Sequence, residues 1–196
     1  MSNGVVHVGA HHGEEVEGYL SEKRSPIVCF EPQIVNYGFT PPNGVSWIWS
    51  ALGDHSGMMD LRVPRHLHDR DVLDTQSASG LRLIPERALA NGWTPTEFVV
   101  WPVSVMRFED WAQGAKFLDG SCSLLVIDVQ GMEMQVLKGF GKFIGGFSEI
   151  KVECSEPPLY EGGAAASEVI SFLAITGFKQ TSPMIQHGDI RFEKED

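Results

Sequence analysis

One stretch, Leu124 to Gly139, constrains the fold more than any other part of the chain. Its apolar run Leu124–Ile127 ends on Asp128, breaks at Gly131, and resumes at helical spacing through Met132, Val136 and Leu137. That pattern is a buried strand delivering a carboxylate to its carboxyl end, followed at once by a helix. In open α/β sheets, ligands bind in the crevice outside the carboxyl ends of the strands. A second acid, Glu133, falls in the first turn of the helix, where the backbone dipole favours negative charge. A strand-end Asp that merely caps a helix is the competing explanation, and an isolated example would favour it. A second junction of the same kind at the amino end shifts the balance towards a ligand site.

That junction runs from Val5 through Val8 into Gly9, Ala10, His11, His12 and Gly13, then into a helix with Val16, Tyr19 and Leu20 on one face. Gly9 allows a sharp turn and close backbone approach, and Gly13 lets the helix start near the sheet. The next strand, Ile27–Phe30, ends on Glu31, roughly 20 residues past the glycine turn, where a ribose-binding acid is expected. The three features together point to a nucleoside-containing cofactor. A nicotinamide dehydrogenase would share the turn and the acid, but the tighter G-x-G-x-x-G turn suited to a pyrophosphate is absent.

The remaining pattern alternates strand and helix. Val45–Trp49 reads as a third strand ending at Ala51 and Leu52, whose small and apolar side chains would flank an adenine. Met59–Val63 reads as a short added strand, Phe108–Gln113 as a short helix and Glu149–Glu153 as a further strand. A helix carrying Val169, Ile170, Phe172 and Leu173 follows. Phe178–Thr181 and Ile190–Phe192 form a closing antiparallel pair. No linker or repeat divides the chain, so residues 1–196 read as a single domain. Within it, 64–97 is the least regular segment.

These segments resemble the FkbM-like family of S-adenosylmethionine-dependent methyltransferases. The matching pieces are Val8-Gly9-Ala10 with Gly13, Phe30-Glu31-Pro32, and Ser50-Ala51-Leu52-Gly53-Asp54. Ile127-Asp128-Val129-Gln130-Gly131-Met132-Glu133 with Val136-Leu137-Lys138-Gly139 follows, then Val152-Glu153 and Gly177-Phe178. The resemblance implies a class I methyltransferase (Rossmann-like) α/β fold. Its sheet would be mostly parallel and seven-stranded, with an antiparallel C-terminal strand and helices on both faces. It implies methyl transfer from S-adenosyl-L-methionine to a hydroxyl, on a sugar, glycan or natural-product acceptor. The cofactor would lie against His7, Gly9, Ala10, His11, Gly13, Glu31, Pro32, Ala51, Leu52, Asp128 and Val129. Asp128 is the first candidate for base or orienter of the hydroxyl, with Glu133 and Glu153 as alternatives.

Two departures from the family pattern bear on the site. His7 stands where an acid usually helps hold the methionyl ammonium; imidazole accepts one hydrogen bond while neutral and repels that group once protonated. Cofactor binding is then weaker and sensitive to pH near 6.5, or another acid such as Glu14 substitutes. Val126 stands where the family often has Lys. A catalytically silent cofactor-binding module is the alternative that the His7 departure keeps open.

Composition limits the partners. A net charge of −11 opposes nucleic acid and anionic membrane surfaces, which need a basic face. With no apolar run of spanning length and no signal-like opening segment, a cytoplasmic protein is expected. Cys29, Cys122 and Cys154 fall in strand-like settings and read as reduced, buried thiols. Between Arg62 and Arg87 the chain turns slightly basic and carries His66, His68, Ser77 and Ser79. That segment is either a lid that selects the acceptor or a solvated loop. His66 and His68 read as an exposed pair, His11 as a cofactor contact and His12 as a surface residue. No convincing metal-ligand set emerges, so no metal is expected.

Overall fold

A computed structural model describes residues 3–33, 39–65, 73–90, 97–117, 120–184 and 186–195. The strands β1 (Gly4–Val8), β2 (Ile27–Phe30), β3 (Val45–Ile48), β4 (Ala51–Leu52), β5 (Gly57–Pro64) and β6 (Phe98–Met106) are followed by β7 (Cys122–Ile127), β8 (Glu149–Ser155), β9 (Phe178–Gln180) and β10 (His187–Lys194). The helices are α1 (Val16–Ser21), α2 (Pro85–Ala90), α3 (Phe108–Gly114), α4 (Glu133–Phe140) and α5 (Ala166–Ile175), with a 3₁₀ turn at Gly141–Gly146.

Seven strands form the main sheet in the order β3-β2-β1-β7-β8-β10-β9. All the pairings among β3, β2, β1, β7 and β8 are parallel, and β10 runs antiparallel to both its neighbours. The expected architecture is therefore present. The central strands β1 and β2 are buried at every position, and β7 at all but one, which is why they read as continuous apolar runs. The chain order reverses beside β1, so the carboxyl ends of β1, β2 and β7 open onto one crevice.

On one face, α3, α4 and the 3₁₀ turn supply an aromatic core. Phe108 stacks on Phe140 with ring centroids 4.1 Å apart, and Phe30 meets Trp111 edge-on at 5.0 Å. A smaller cluster of Val16, Tyr19, Ile27 and Leu124 seats α1 on the other face. The three cysteines are free and buried, and burial pushes the Cys29 thiol up to about 12 and Cys122 up to about 11. No helix among the described residues is long and apolar enough to cross a membrane.

Two readings of the sequence need correction. The third strand does not continue into Ala51 and Leu52. β3 stops at Ile48, the chain kinks at Ser50, and Ala51–Leu52 pairs instead with Val105 and Met106 of a second, three-stranded sheet ordered β4-β6-β5. The kink is fixed by the Ser50 hydroxyl, which donates to the Ser104 carbonyl at 3.0 Å. The second correction concerns the stretch after Arg62. The added strand spans eight residues and pairs along its whole length with the nine-residue β6, a strand at Phe98–Met106 that the local pattern does not announce. Between β5 and β6, α2 is a regular element within 64–97. His66 and His68 lie outside the described residues.

Candidate active site

The carboxyl ends of β1, β2 and β7 and the second sheet enclose a cavity of about 420 Å³, within the range of small-molecule sites. The glycine turn forms its floor. Gly9 and Ala10 N–H groups both donate to the Phe30 carbonyl, at 2.9 and 3.2 Å, and Asp128 N–H donates to the Val8 carbonyl at 3.0 Å. Gly9 has φ +83°, and a Cβ there would lie 1.7 Å from the Asp128 carbonyl oxygen. Only glycine lets these two strand ends meet so closely.

Of the sequence-predicted contacts, His7, Gly9, Ala10, His11, Glu31, Pro32, Ala51, Leu52, Asp128 and Val129 all line this cavity, and Glu153 joins them from β8. Gly13 does not. It turns the chain into α1 against Val16 and Trp47. Glu133 also stays out of the cavity: it is buried beneath the turn, and its Oε1 accepts the Gly131 N–H at 2.9 Å. Burial pushes its carboxyl up to about 7. Its position serves the turn that presents Asp128.

Glu31 is buried, and its two oxygens accept the backbone N–H groups of His11 and Gln33 at 2.9 and 2.8 Å. Each oxygen keeps a lone pair for a ligand. Burial outweighs these bonds and raises the carboxyl to about 7.

On the opposite side, the Gln130 amide nitrogen donates to Asp128 Oδ1 at 2.7 Å and to Glu153 Oε2 at 2.9 Å. Tyr160 donates its hydroxyl proton to Gln130 Oε1 at 3.0 Å, which fixes the amide's orientation. Gln130 is held in the left-handed region at φ +54°. Burial, and then the Glu153 charge, pushes Asp128 up to about 7; burial raises Glu153 as well. Two carboxyls so placed hold one proton between them more readily than either does alone.

His7 is buried against Glu15 and Tyr19. Its Nε2 lies 3.3 Å from Glu15 Oε2, and its Nδ1 lies 3.3 Å from the Tyr19 hydroxyl. Glu15 is also paired with Lys151 at 2.7 Å. Glu14 instead bonds His11 Nδ1 at 2.7 Å and the His12 N–H at 3.1 Å. Burial drives the His7 imidazole down to about 4, so the titration expected near 6.5 is displaced and the ring is neutral at pH 7. The unfolded chain then takes up a proton on His7 below pH 6.5 that the folded chain refuses. Stability is intact above 6.5 and falls as pH drops towards 4. His7→Gln should remove about 2–3 kcal/mol of the stability lost between pH 7.5 and 4.5, read by denaturant unfolding at both values. An identical acid loss in the variant would show that His7 is not held neutral.

His11, His12 and Glu14 bring three potential metal-ligand atoms within 4.8 Å of one another. Both ring nitrogens of His11 already have partners in Glu14 and Thr75, so a metal would have to displace them.

The segment Thr75–Gly80 crosses the cavity as a strap. Thr75 Oγ1 meets His11 Nε2 at 2.8 Å, and the Thr75 carbonyl accepts from Gln33 Nε2 at 2.9 Å. At the other end the Ser79 hydroxyl donates to the Gln130 carbonyl at 2.6 Å, and Arg62 Nη1 donates to the Gly80 carbonyl at 2.9 Å. Sequence reasoning assigned no role to Glu15, Gln33, Met59, Leu61, Thr75, Gln130 or His187, all of which line the cavity. Met59 and Leu61 alternate along β5 and were findable from that period. His187 arrives only through its pairing opposite Ser155, which no local pattern reports.

A known family model matches most of the chain. Residues 7–180 fit the model of the methyltransferase FkbM domain. The chain belongs to that family. Among proteins similar to it is a 2-O-methyltransferase, NoeI, of Sinorhizobium fredii (strain NBRC 101917 / NGR234). It is 22% identical over 194 residues, covering 95% of this chain and 77% of the relative. A solved structure of methyltransferase FkbM from Methylobacillus flagellatus KT superposes with a TM-score of 0.53 at 13% identity, over 97% of this chain. That likeness concerns the fold of the FkbM domain alone; this chain spans 43% of the solved one.

Proposed function

We propose that the protein is an S-adenosylmethionine-dependent O-methyltransferase acting on a hydroxyl of a sugar, glycan or natural-product acceptor. The observation that carries this reading is the cavity itself, with a nucleoside-type floor at one end and the Asp128–Glu153 pair at the other. The residues present fit the cofactor. Gly9 permits close backbone approach, and buried Glu31 offers an acceptor for a ribose hydroxyl. Ala51 and Leu52 give an apolar wall, and the carboxylates of Glu14 and Glu15, which also line the cavity, would suit a cationic group. When bound, S-adenosylmethionine supplies a methyl group on a positively charged sulfur.

The chain's own residues do the rest. Asp128, held by Gln130, orients the acceptor hydroxyl and takes its proton as the new oxygen–carbon bond forms. Holding nucleophile and electrophile in line removes much of the cost of bringing two partners together. A carboxyl raised to about 7 is a stronger base than an ordinary one, which suits an alcohol proton. Glu153 shares the proton and carries it away from the forming bond. Glu133 supports the turn. The strap and β5, with Met59, Leu61 and Ser77, form the wall against which the acceptor packs. The 2-O-methyltransferase relative supports oxygen as the methylated atom.

Calorimetry with S-adenosylmethionine, S-adenosylhomocysteine and NAD tests the cofactor class. Micromolar binding of the first two and none of NAD is expected. Glu31→Ala should weaken binding roughly tenfold to a hundredfold, as loss of a charged acceptor does. Binding of NAD in their place would overturn the reading. Binding of S-adenosylmethionine without turnover, across a broad panel of hydroxylated acceptors, would favour a silent module instead.

A further inference from the structure

His187 is the first residue of β10, and its register places it opposite Ser155 at the end of β8. The Ser155 hydroxyl lies 2.8 Å from His187 Nδ1. The far ring nitrogen, Nε2, lies 3.9 Å from Glu153 Oε1. That separation is too long for a direct hydrogen bond and suits one oxygen bound to both groups. Both residues line the cavity, and their side chains keep 32% and 22% of their surface exposed, so a ligand in the cavity reaches the slot between them.

The chemistry of the slot selects a hydroxyl. With Ser155 donating to Nδ1, the ring carries its proton on Nε2 and presents a donor beside the Glu153 acceptor. A hydroxyl donates and accepts, so it serves both groups at once. A phosphate or carboxylate would meet the Glu153 charge, and an ammonium has no lone pair for the ring N–H. The other Glu153 oxygen is tied through the Gln130 amide nitrogen to Asp128, at 2.9 and 2.7 Å. One nitrogen thus touches both carboxyls, a spacing that suits hydroxyls on adjacent carbons.

We propose that His187 and Glu153 bind the hydroxyl beside the one that Asp128 deprotonates, so that the acceptor is a vicinal diol and the product its monomethyl ether. The assignment rests on the O-methyltransferase reading above and narrows its acceptor class. The oxygen–carbon bond forms as the sulfonium carbon–sulfur bond breaks, the proton passes to Asp128, and the hydroxyl in the slot is unchanged. His187 is then a specificity residue: by holding one oxygen of the diol it decides which neighbour is methylated.

Methyl transfer by the full chain tests it, with methyl hexopyranosides, their monodeoxy analogues, cyclohexanol, and cis- and trans-cyclohexane-1,2-diol as probes. In the parent, removing the hydroxyl next to the methylated one should lower kcat/KM roughly a hundredfold, about tenfold for each of its two hydrogen bonds. His187→Phe keeps the bulk of the ring and removes both nitrogens, so the penalty there should shrink to roughly tenfold. His187→Gln retains an N–H donor near the place of Nε2 and should keep the parent's penalty. Where His187→Phe lacks a cooperative unfolding transition, His187→Leu takes its place. Equal penalties in the parent and in the apolar variant would overturn the proposal, as would faster methylation of cyclohexanol than of either diol by the parent. A penalty reduced equally in His187→Gln would do so too, by assigning His187 to the Ser155 tie alone. Binding of S-adenosylmethionine with no transfer to any probe would instead favour the silent module, and the diol assignment would fall with the O-methyltransferase reading.

Discussion

Asp128→Asn is expected to lower turnover by roughly 10²–10⁴ while leaving S-adenosylmethionine affinity within a few-fold, the range ascribed to positioned acid–base groups. Asparagine keeps the shape and the bond to the Gln130 side chain can be remade, but it cannot accept the hydroxyl proton. In the parent the carboxyl sits at about 7, raised by burial and by Glu153. The base form grows as pH rises, so kcat should climb through pH 7 and level off above it. The variant's profile should be flat there. Glu153→Gln serves as the control. If it alone loses turnover, the proton goes to Glu153 and Asp128 is a positioning residue. Full activity in both variants would leave orientation as the only contribution of the protein. Loss of cofactor affinity in Asp128→Asn would make Asp128 a cofactor ligand.

Gly9→Ala should cost about 2–6 kcal/mol of stability, combining left-handed strain with overpacking. The added Cβ would fall 1.7 Å from the Asp128 carbonyl oxygen, which cannot move without parting β1 from β7. The urea midpoint should drop with an unchanged slope, and S-adenosylhomocysteine binding should disappear even where the variant is folded. Gly18→Ala is the matched control. It lies in α1, and a Cβ there meets nothing within 4 Å, so it should not be destabilising. Equal stability of Gly9→Ala and the parent would show that the turn has more room than the geometry allows.

The parts of the fold legible in the sequence are those made by local pattern. Val5–Val8 and Leu124–Ile127 are apolar because both faces of their strands are covered, and each announces its own end with a glycine or an acid. The missed parts depend on partners distant along the chain. β6 carries Pro102, which ordinarily counts against a central strand. It is tolerated because β4 reaches only Val105 and Met106, so at Pro102 the strand pairs on one side alone, with Asp60. The Ala51–Leu52 departure is set by Ser104, whose carbonyl receives the Ser50 hydroxyl across the kink.

The same division holds for the site. Residues at strand ends, Glu31 and Asp128 above all, could be named from position. Glu15 could not, because its approach to His7 follows from how α1 packs. Nor could the orientation of Gln33, which a carbonyl 42 residues away decides. Glu133 was read as facing the crevice because it opens a helix beside it, yet its carboxylate turns back onto the Gly131 N–H. A turn with Gln130 at φ +54° and Gly131 at φ +100° needs that support more than the cavity needs a third acid.

The cavity is walled by two sheets with very different tolerance of change, and this bears on how such an enzyme diversifies. On the main-sheet side, Gly9 has a backbone oxygen 1.7 Å from where a side chain would begin. That turn is closed to mutation. The other wall comes from β5 and the strap, where Met59, Leu61, Gln76 and Ser77 reach the cavity from elements that contribute nothing to the aromatic core. Variation there can reshape what is accepted without disturbing the main sheet. A library aimed at a new acceptor belongs at those four positions, and the glycine turn should be left as inherited.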